Sequence, residues 1–274
     1  MIVIASRPGQ LANMLFLFSH VGSFALSTGQ KVVAPAFEPY VGFFPNLRGT
    51  CAIPPGQYHP LWSHYTISNT AARMLSRLSG GSLLWWKSIY LDWDEQFDLH
   101  RLQQYSRYKV IFLNGWRFRY PEGLLRHKDE IRTLFSPREN VMKRAKSLMK
   151  PNSINIGVHI RRGDYKTFMD GRFFYSVDVY KRMMMHLKNN EQRELHFVIC
   201  TDDAISAEQL IDHNCTLSGG NAVEDLYTLS QCDYIMGPPS TFSLWASFYG
   251  DKPLLPLVNP DVSPALKDFS LPDY

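Results

Sequence analysis

The run Val158-His159-Ile160-Arg161-Arg162-Gly163-Asp164-Tyr165 holds the residue types best suited to chemistry on an anion. Two adjacent arginines stand beside a histidine and an aspartate, at the end of an apolar run that reads as a strand. Neighbouring residues on an extended chain point to opposite sides. One guanidinium is therefore expected in a cleft, and the other is expected to anchor to the protein through Asp164. A guanidinium forms two parallel charge-assisted hydrogen bonds, which suits a diphosphate. The plain alternative is an ion-paired cluster at a strand end.

Two other segments add to that anion chemistry. Gly237-Pro238-Pro239-Ser240-Thr241-Phe242 follows a predicted strand and opens a helix. Ser240 or Thr241 suits the N-cap there, and the N–H groups and dipole of a helix start favour an anion. In many proteins such a pair is only a cap. Thr201-Asp202-Asp203 ends another predicted strand. A carboxylate so placed accepts from a ribose hydroxyl or a guanine N–H edge, or simply builds a turn. There is no GxGxxG, GxxxxGK[ST], HExxH or GxSxG. Asp92-Trp93-Asp94 has the spacing of a DxD metal motif but sits in an aromatic, acidic stretch, and no metal is expected there.

The elements that would position these groups follow from hydrophobic periodicity. Ile2–Ser6 reads as a strand, Gln10–Leu26 as a helix closed by Gly29, and Lys31–Ala34 as a second strand, a βαβ order that implies a parallel sheet. Prolines break the first part of residues 35–108, from Pro35 to Pro60, and the stretch yields only a short helix over Ala71–Leu78. Lys109–Leu113 reads as a strand, Pro121–Phe135 as one helix, and Glu139–Met149 as a basic helix. Pro151-Asn152-Ser153 reads as a boundary between residues 1–150 and 151–274. A second alternating series follows: strands at Ile154–Ile160, Leu195–Cys200 and Tyr234–Met236, and helices at Tyr180–Lys188, Ala207–Asp212, Val223–Ser230 and Ser240–Tyr249. The expected fold class is α/β, two Rossmann-like lobes with parallel sheets facing a cleft.

Composition bounds the function. The chain has 274 residues, with 45% hydrophobic and 20% charged residues, as in ordinary globular proteins. Four cysteines lack paired spacing, so reduced thiols and a cytoplasmic location are expected. The apolar stretch Leu11–Leu26 is interrupted by Asn13 and His20, and neither a signal peptide nor a spanning helix is expected. Residues 1–150 carry 19 Lys and Arg against 9 Asp and Glu, whereas residues 151–274 carry 10 against 16. The basic half is either a solvated face or faces an anionic partner. Such partners include an anionic membrane, met peripherally at its inner face, or a lipid-diphosphate-linked oligosaccharide acceptor. Nothing in the sequence carries a nucleic-acid-binding motif.

Four blocks resemble the family 11 glycosyltransferases, the α-1,2-fucosyltransferases, and more loosely the α-1,6- and protein O-fucosyltransferases. They are Gly9-Gln10-Leu11-Ala12-Asn13-Met14-Leu15-Phe16, Asn114-Gly115-Trp116 with Glu130-Ile131-Arg132, His159 to Tyr165, and Glu224-Asp225-Leu226-Tyr227 through Ser240-Thr241-Phe242-Ser243-Leu244-Trp245-Ala246. The Thr201-Asp202-Asp203 turn is similar to the family's SDD turn. Met14, Ala12, Arg117, Leu244 and Pro238-Pro239 depart from the family pattern.

The resemblance implies a GT-B-like fold and an inverting, metal-independent transfer of L-fucose from GDP-fucose to a galactoside 2-hydroxyl, in surface-glycan or O-antigen synthesis. It implies no cofactor beyond the donor substrate. Residues 1–150 would be the acceptor side, with Gln10, Asn13 and Trp116, and residues 151–274 the donor side. Arg162 and Arg161 would stabilise the departing diphosphate, with Arg162 the direct ligand by motif position, and Asp164 would orient them. His159, Asp202, Asp203, Ser240, Thr241 and Phe242 would complete the donor site. A general base is not legible; Glu38, Asp92 and Asp94 are candidates by lobe. A GDP-binding module without catalysis, or a transferase with another nucleotide-sugar donor, are the alternatives.

Overall fold

The computed structural model describes residues 1–7, 9–47, 65–78, 82, 83, 85–203 and 214–274. It divides into two units, Met1–Arg138 and Glu139–Tyr274.

In the first unit β1 (Ile2–Ile4) leads into α1 (Leu11–Thr28), which Gly29 ends in the left-handed conformation at φ +68°. Strand β2 (Val32–Val33) follows, then α2 (Glu38–Val41), α3 (Tyr65–Leu78), β3 (Ser82–Leu83) and β4 (Trp86–Tyr90). Beyond them lie β5 (Phe97–Asp98), β6 (Val110–Asn114) and β7 (Phe118–Arg119), then α4 (Pro121–Arg126) and α5 (Lys128–Leu134). The main sheet has the order β2-β1-β6-β4-β3. Its strands run parallel except for β3, which pairs antiparallel with β4. The expectation of a parallel sheet thus holds for all but that edge. The expected helix over Pro121–Phe135 is two helices, because His127 leaves helical geometry at φ −103°, ψ 26° between them. Helix α1 packs on α4, α5 and β7, and its Phe18 meets Phe135 edge-on with centroids 5.3 Å apart.

The second unit opens with α6 (Glu139–Ser147), which packs on α8. The boundary expected at Pro151 therefore falls one helix later than the division between the units. Strand β8 (Ile154–Ile160) is followed by α7 (Val177–Asn190), β9 (Leu195–Thr201), β10 (Cys215–Leu217), α8 (Ala222–Gln231), β11 (Tyr234–Gly237), α9 (Thr241–Gly250) and β12 (Leu254–Pro256). The helix expected over Ala207–Asp212 lies outside the described residues. All five strands are parallel, in the order β10-β9-β8-β11-β12. Six of the seven β8 residues are buried, as befits the middle strand of a sheet covered on both faces. The α8 start is fixed by a capping box: Asn221 accepts from the Val223 and Glu224 N–H groups, and Glu224 accepts from the Asn221 N–H.

Candidate donor site at the carboxyl edge of the second sheet

The chain leaves β8 toward β9 on one side and later returns to place β11 on the other side of β8. At such a reversal, the loops after the two strands diverge and leave a crevice at their carboxyl ends, where open α/β sheets bind ligands. The loop after β8 is Arg161 to Asp164, and the loop after β11 is Pro238 to Ser240. The two loops are held together. The Tyr165 hydroxyl donates to the Pro239 carbonyl at 2.9 Å. The His159 Nδ1 and the Ser243 hydroxyl lie 2.8 Å apart, and the His159 ring sits 4.8 Å from that of Phe242. Gly237 runs so close to β8 that a Cβ there would lie 2.8 Å from both the Cβ and the carbonyl oxygen of His159.

The two arginines have separate fates. Arg161 donates from Nε to Asp164 Oδ1 at 2.8 Å and from Nη2 to Asp164 Oδ2 at 2.6 Å, and its guanidinium lies 4.8 Å from the centre of the Tyr165 ring. The hydrogen bond from Arg161 holds the Asp164 carboxyl below its usual range. Arg162 is ion-paired to Asp203 at 3.3 Å and packs over Phe174 at 5.1 Å, while its buried Nε has no acceptor among the described residues. An unpaired buried donor is costly unless a further partner completes the site. Asp202 Oδ1 accepts from the backbone N–H of Arg162 at 2.8 Å and of Gly163 at 3.2 Å, so this carboxylate shapes the arginine loop. The Asp203 N–H is held by the Thr201 hydroxyl at 3.1 Å.

Ser240 is the N-cap of α9, its hydroxyl accepting from the Ser243 N–H at 3.2 Å. Thr241 is the first helical residue. His159 is buried; desolvation, then the nearby Arg161, bring its pKa down to about 3, so it is neutral at pH 7. The structure thus gathers His159, Arg161, Arg162, Asp202, Asp203, Ser240, Thr241 and Phe242 on the ends of three neighbouring strands and one helix. Sequence reasoning gave no separate role to Ser243 or Phe174. The i, i+3 relation of Ser243 to the cap was a usable signal for the first, and nothing marked the second.

The residues assigned to the acceptor side lie at the carboxyl ends of two adjacent strands of the first unit. Gln10 precedes α1 and Asn13 sits in its first turn, beyond β1. Trp116 follows β6, whose end is tied to that of β1 by the Gly115 N–H to the Ser6 hydroxyl at 2.9 Å. Asp92 and Asp94 lie in the loop after β4, and the Glu38 side chain is outside the description.

An arginine loop and a capped helix start thus meet at the strand-order reversal of a dinucleotide-fold-like unit, where open α/β sheets bind ligands. A family model for glycosyl transferase family 11 matches residues 83–265, and the chain belongs to that family. It is 26% identical to galactoside alpha-(1,2)-fucosyltransferase 2 of Pongo pygmaeus, over 67% of this chain and 57% of that protein. The chain therefore spans a little over half of that relative's length. The Gorilla gorilla gorilla protein of the same name is 25% identical over 97% of this chain and 78% of its own. Among solved structures, an Arabidopsis thaliana FUT1 mutant in complex with GDP matches with a TM-score of 0.64 at 12% identity, over 92% of this chain and 69% of that one. POFUT1 in complex with GDP matches with a TM-score of 0.58 at 12% identity, over 96% of each chain. Fucosyltransferase NodZ from Bradyrhizobium gives 0.53 at 16% identity, over 93% of this chain and 95% of that one. These likenesses bear out the expected α/β, GT-B-like fold class.

Proposed function

We propose that this chain transfers L-fucose from GDP-fucose to a glycan hydroxyl, inverting the anomeric centre and needing no metal ion. The reading rests on one observation above all. Arg161 is locked to Asp164, whereas Arg162 beside it has a buried Nε without an acceptor among the described residues, at the strand-order reversal of a parallel sheet. The names of the similar proteins support the donor and the reaction.

As the bond between C1 of the sugar and the β-phosphate oxygen breaks, negative charge grows on that oxygen, and a fixed cation lowers the barrier. Arg162 supplies that cation, aided by the N–H groups at the start of α9. The diphosphate takes the place beside Arg162 that Asp203 holds in the structure. Asp202 keeps the loop in shape, and the Asp202-Asp203 turn is the candidate contact for ribose or guanine. The acceptor oxygen attacks C1 from the opposite face and gives up its proton to a base, for which Asp92 and Asp94 are candidates by lobe. The similar primate proteins favour a galactoside 2-hydroxyl, hence an α-1,2 linkage.

The test is a linkage analysis of products formed from GDP-fucose and a panel of glycans, with and without EDTA. An α-1,2-linked fucoside formed equally in chelator supports the reading. Binding of GDP without transfer or donor hydrolysis would make the chain a binding module, and turnover of another nucleotide sugar would reassign the donor.

The same reading includes peripheral contact with an anionic membrane at its cytoplasmic face. At the amino ends of β4 and β6, Lys109 lies over the Trp85 ring at 4.6 Å, Lys87 near the Tyr105 ring at 5.7 Å, and Arg107 over the Tyr108 ring at 4.8 Å. Trp85 is 63% exposed, and residues 85–91 and 99–121 contain no Asp or Glu. Aromatic rings and cations together suit an anionic lipid interface. Cosedimentation with phosphatidylglycerol vesicles at low salt, lost on adding salt, is the expected result; no cosedimentation at low salt overturns it. Helix α1 is long and apolar enough to span a bilayer but is mostly buried in its unit.

A further inference from the structure

In the first unit, the loops after β4 and β6 are cross-tied by hydrogen bonds into one surface. The Leu91 N–H donates to the Asn114 carbonyl at 2.8 Å, and Trp116 donates from Nε1 to the Trp93 carbonyl at 3.0 Å. Arg117 donates from Nη1 to the Asp94 carbonyl at 2.7 Å, and the Phe97 N–H donates to the Arg117 carbonyl at 3.0 Å. Gly115, at φ +135°, permits the close approach: a Cβ there would lie 2.7 Å from that of Leu91.

Two features of this surface point to a ligand. The indoles of Trp93 and Trp116 lie 5.2 Å apart with planes 37° from parallel, yet Trp93 is 57% exposed. Ordering a large ring at the surface against a second indole leaves apolar area uncovered, of the kind that the C–H face of a pyranose fills. Beside them stand two guanidiniums, Arg117 at 5.7 Å and Arg119 at 5.2 Å from the centre of the Trp116 ring. Neither is paired with a carboxylate among the described side chains. Arg119 spends two contacts on the Trp116 and Phe118 carbonyls. Burial, then the neighbouring Arg117, pull its pKa down to about 10. Two like charges held together without a counterion are relieved by an anion.

We infer that Trp93, Trp116, Arg117 and Arg119 form a binding site for an acidic sugar, its ring packed on the indoles and its carboxylate or phosphate held by the guanidiniums. Resting on the transferase reading above, this makes the acceptor an acidic glycan. The two sources of negative charge, a uronate and a sugar phosphate, share the chemistry and are separated by experiment.

The experiment measures tryptophan fluorescence of the full chain titrated with digalacturonic acid, galactose 6-phosphate and a neutral digalactoside, with GDP binding followed by calorimetry in the same samples. One or both acidic sugars should quench the signal at least tenfold more tightly than the neutral one and weaken as salt rises. Arg117→Gln and Trp93→Ala should each lose at least tenfold for the acidic sugar while binding GDP as the parent does. Equal binding of neutral and acidic sugars, no binding of either acid, or unchanged affinity in Arg117→Gln overturns the inference and leaves the donor reading standing. Acidic-sugar binding without GDP binding keeps the inference and removes the donor reading.

Discussion

Asp164 gives both carboxylate oxygens to Arg161, at 2.8 Å from Nε and 2.6 Å from Nη2, and so withdraws one member of an arginine pair from ligand duty. Its neighbour Arg162 keeps a single ion pair with Asp203 at 3.3 Å and a buried Nε without an acceptor among the described residues. Removing Arg162 therefore costs the fold little and the reaction much. Arg162→Ala should melt near the parent temperature and lose about 10²–10³ in kcat at saturating donor, the usual penalty for deleting one fixed donor to a charged transition state. Initial rates with GDP-fucose check this; retention of more than a tenth of the activity sinks the assigned role.

Asp202 acts on the loop through its backbone. Its Oδ1 receives the N–H groups of Arg162 and Gly163, which sets where the Arg162 side chain departs. Hydrogen bonds to a charged acceptor contribute roughly 1.5–3 kcal/mol each. Asp202→Ala should weaken GDP binding by at least about tenfold, and Asp202→Asn, which keeps an acceptor oxygen, should recover part of it. Calorimetry with GDP reads both.

Gly237 marks the tightest approach between β11 and β8. A methyl group there would sit 2.8 Å from the Cβ and carbonyl of His159, backbone that cannot swing away. Gly237→Ala should cost roughly 1–3 kcal/mol, the range for overpacking a well-filled interior. Urea unfolding measures it, and a variant as stable as the parent would mean the two strands part easily.

Buried histidines set the acid side of the stability profile. His20 and His159 are held neutral, each with a folded pKa of about 3, chiefly through burial, against 6.5 when unfolded. Their contribution is complete above pH 6.5 and declines as pH falls below it, because the unfolded chain takes up the protons first. Asp225 runs the other way: burial raises its pKa to about 6 from 3.8. Its contribution is complete below about pH 4 and is lost as pH rises toward 6. Denaturant unfolding from pH 7 to pH 4 should therefore show stability falling with acid. His20→Gln, which keeps an acceptor for the Tyr120 N–H, should flatten the fall, and Asp225→Asn should steepen it.

The second unit was legible because its strands are buried on both faces and so read as unbroken apolar runs. Ile154–Ile160 is the observed β8 to the residue, and the strands at 195 and 234 extend one residue past their expected ends. Arg161 and Arg162 were legible for the same reason, as the first two polar residues after such a run, and Ser240 because it opens a helix. The first unit resisted. Trp86–Tyr90 mixes lysine, serine and tyrosine because only part of β4 is covered, so its pairing with β6 was invisible to periodicity. The two-residue strands β3, β5 and β7 are made by their partners rather than by their own composition. His127 breaks a helix by geometry alone, with neither glycine nor proline to announce it. Trp93 sits within the DxD spacing of Asp92 and Asp94, and its relation to Trp116 exists only once β4 and β6 are side by side.

The first helix carries a consequence for biogenesis. The residues that hide Leu11–Thr28 include α4, α5 and Phe135, roughly a hundred positions later in the chain. At about 5–20 residues per second of translation, that apolar cylinder is out of the ribosome for roughly 5–20 s before its cover has been made. Until then its apolar face is open to any other apolar surface the newborn chain meets.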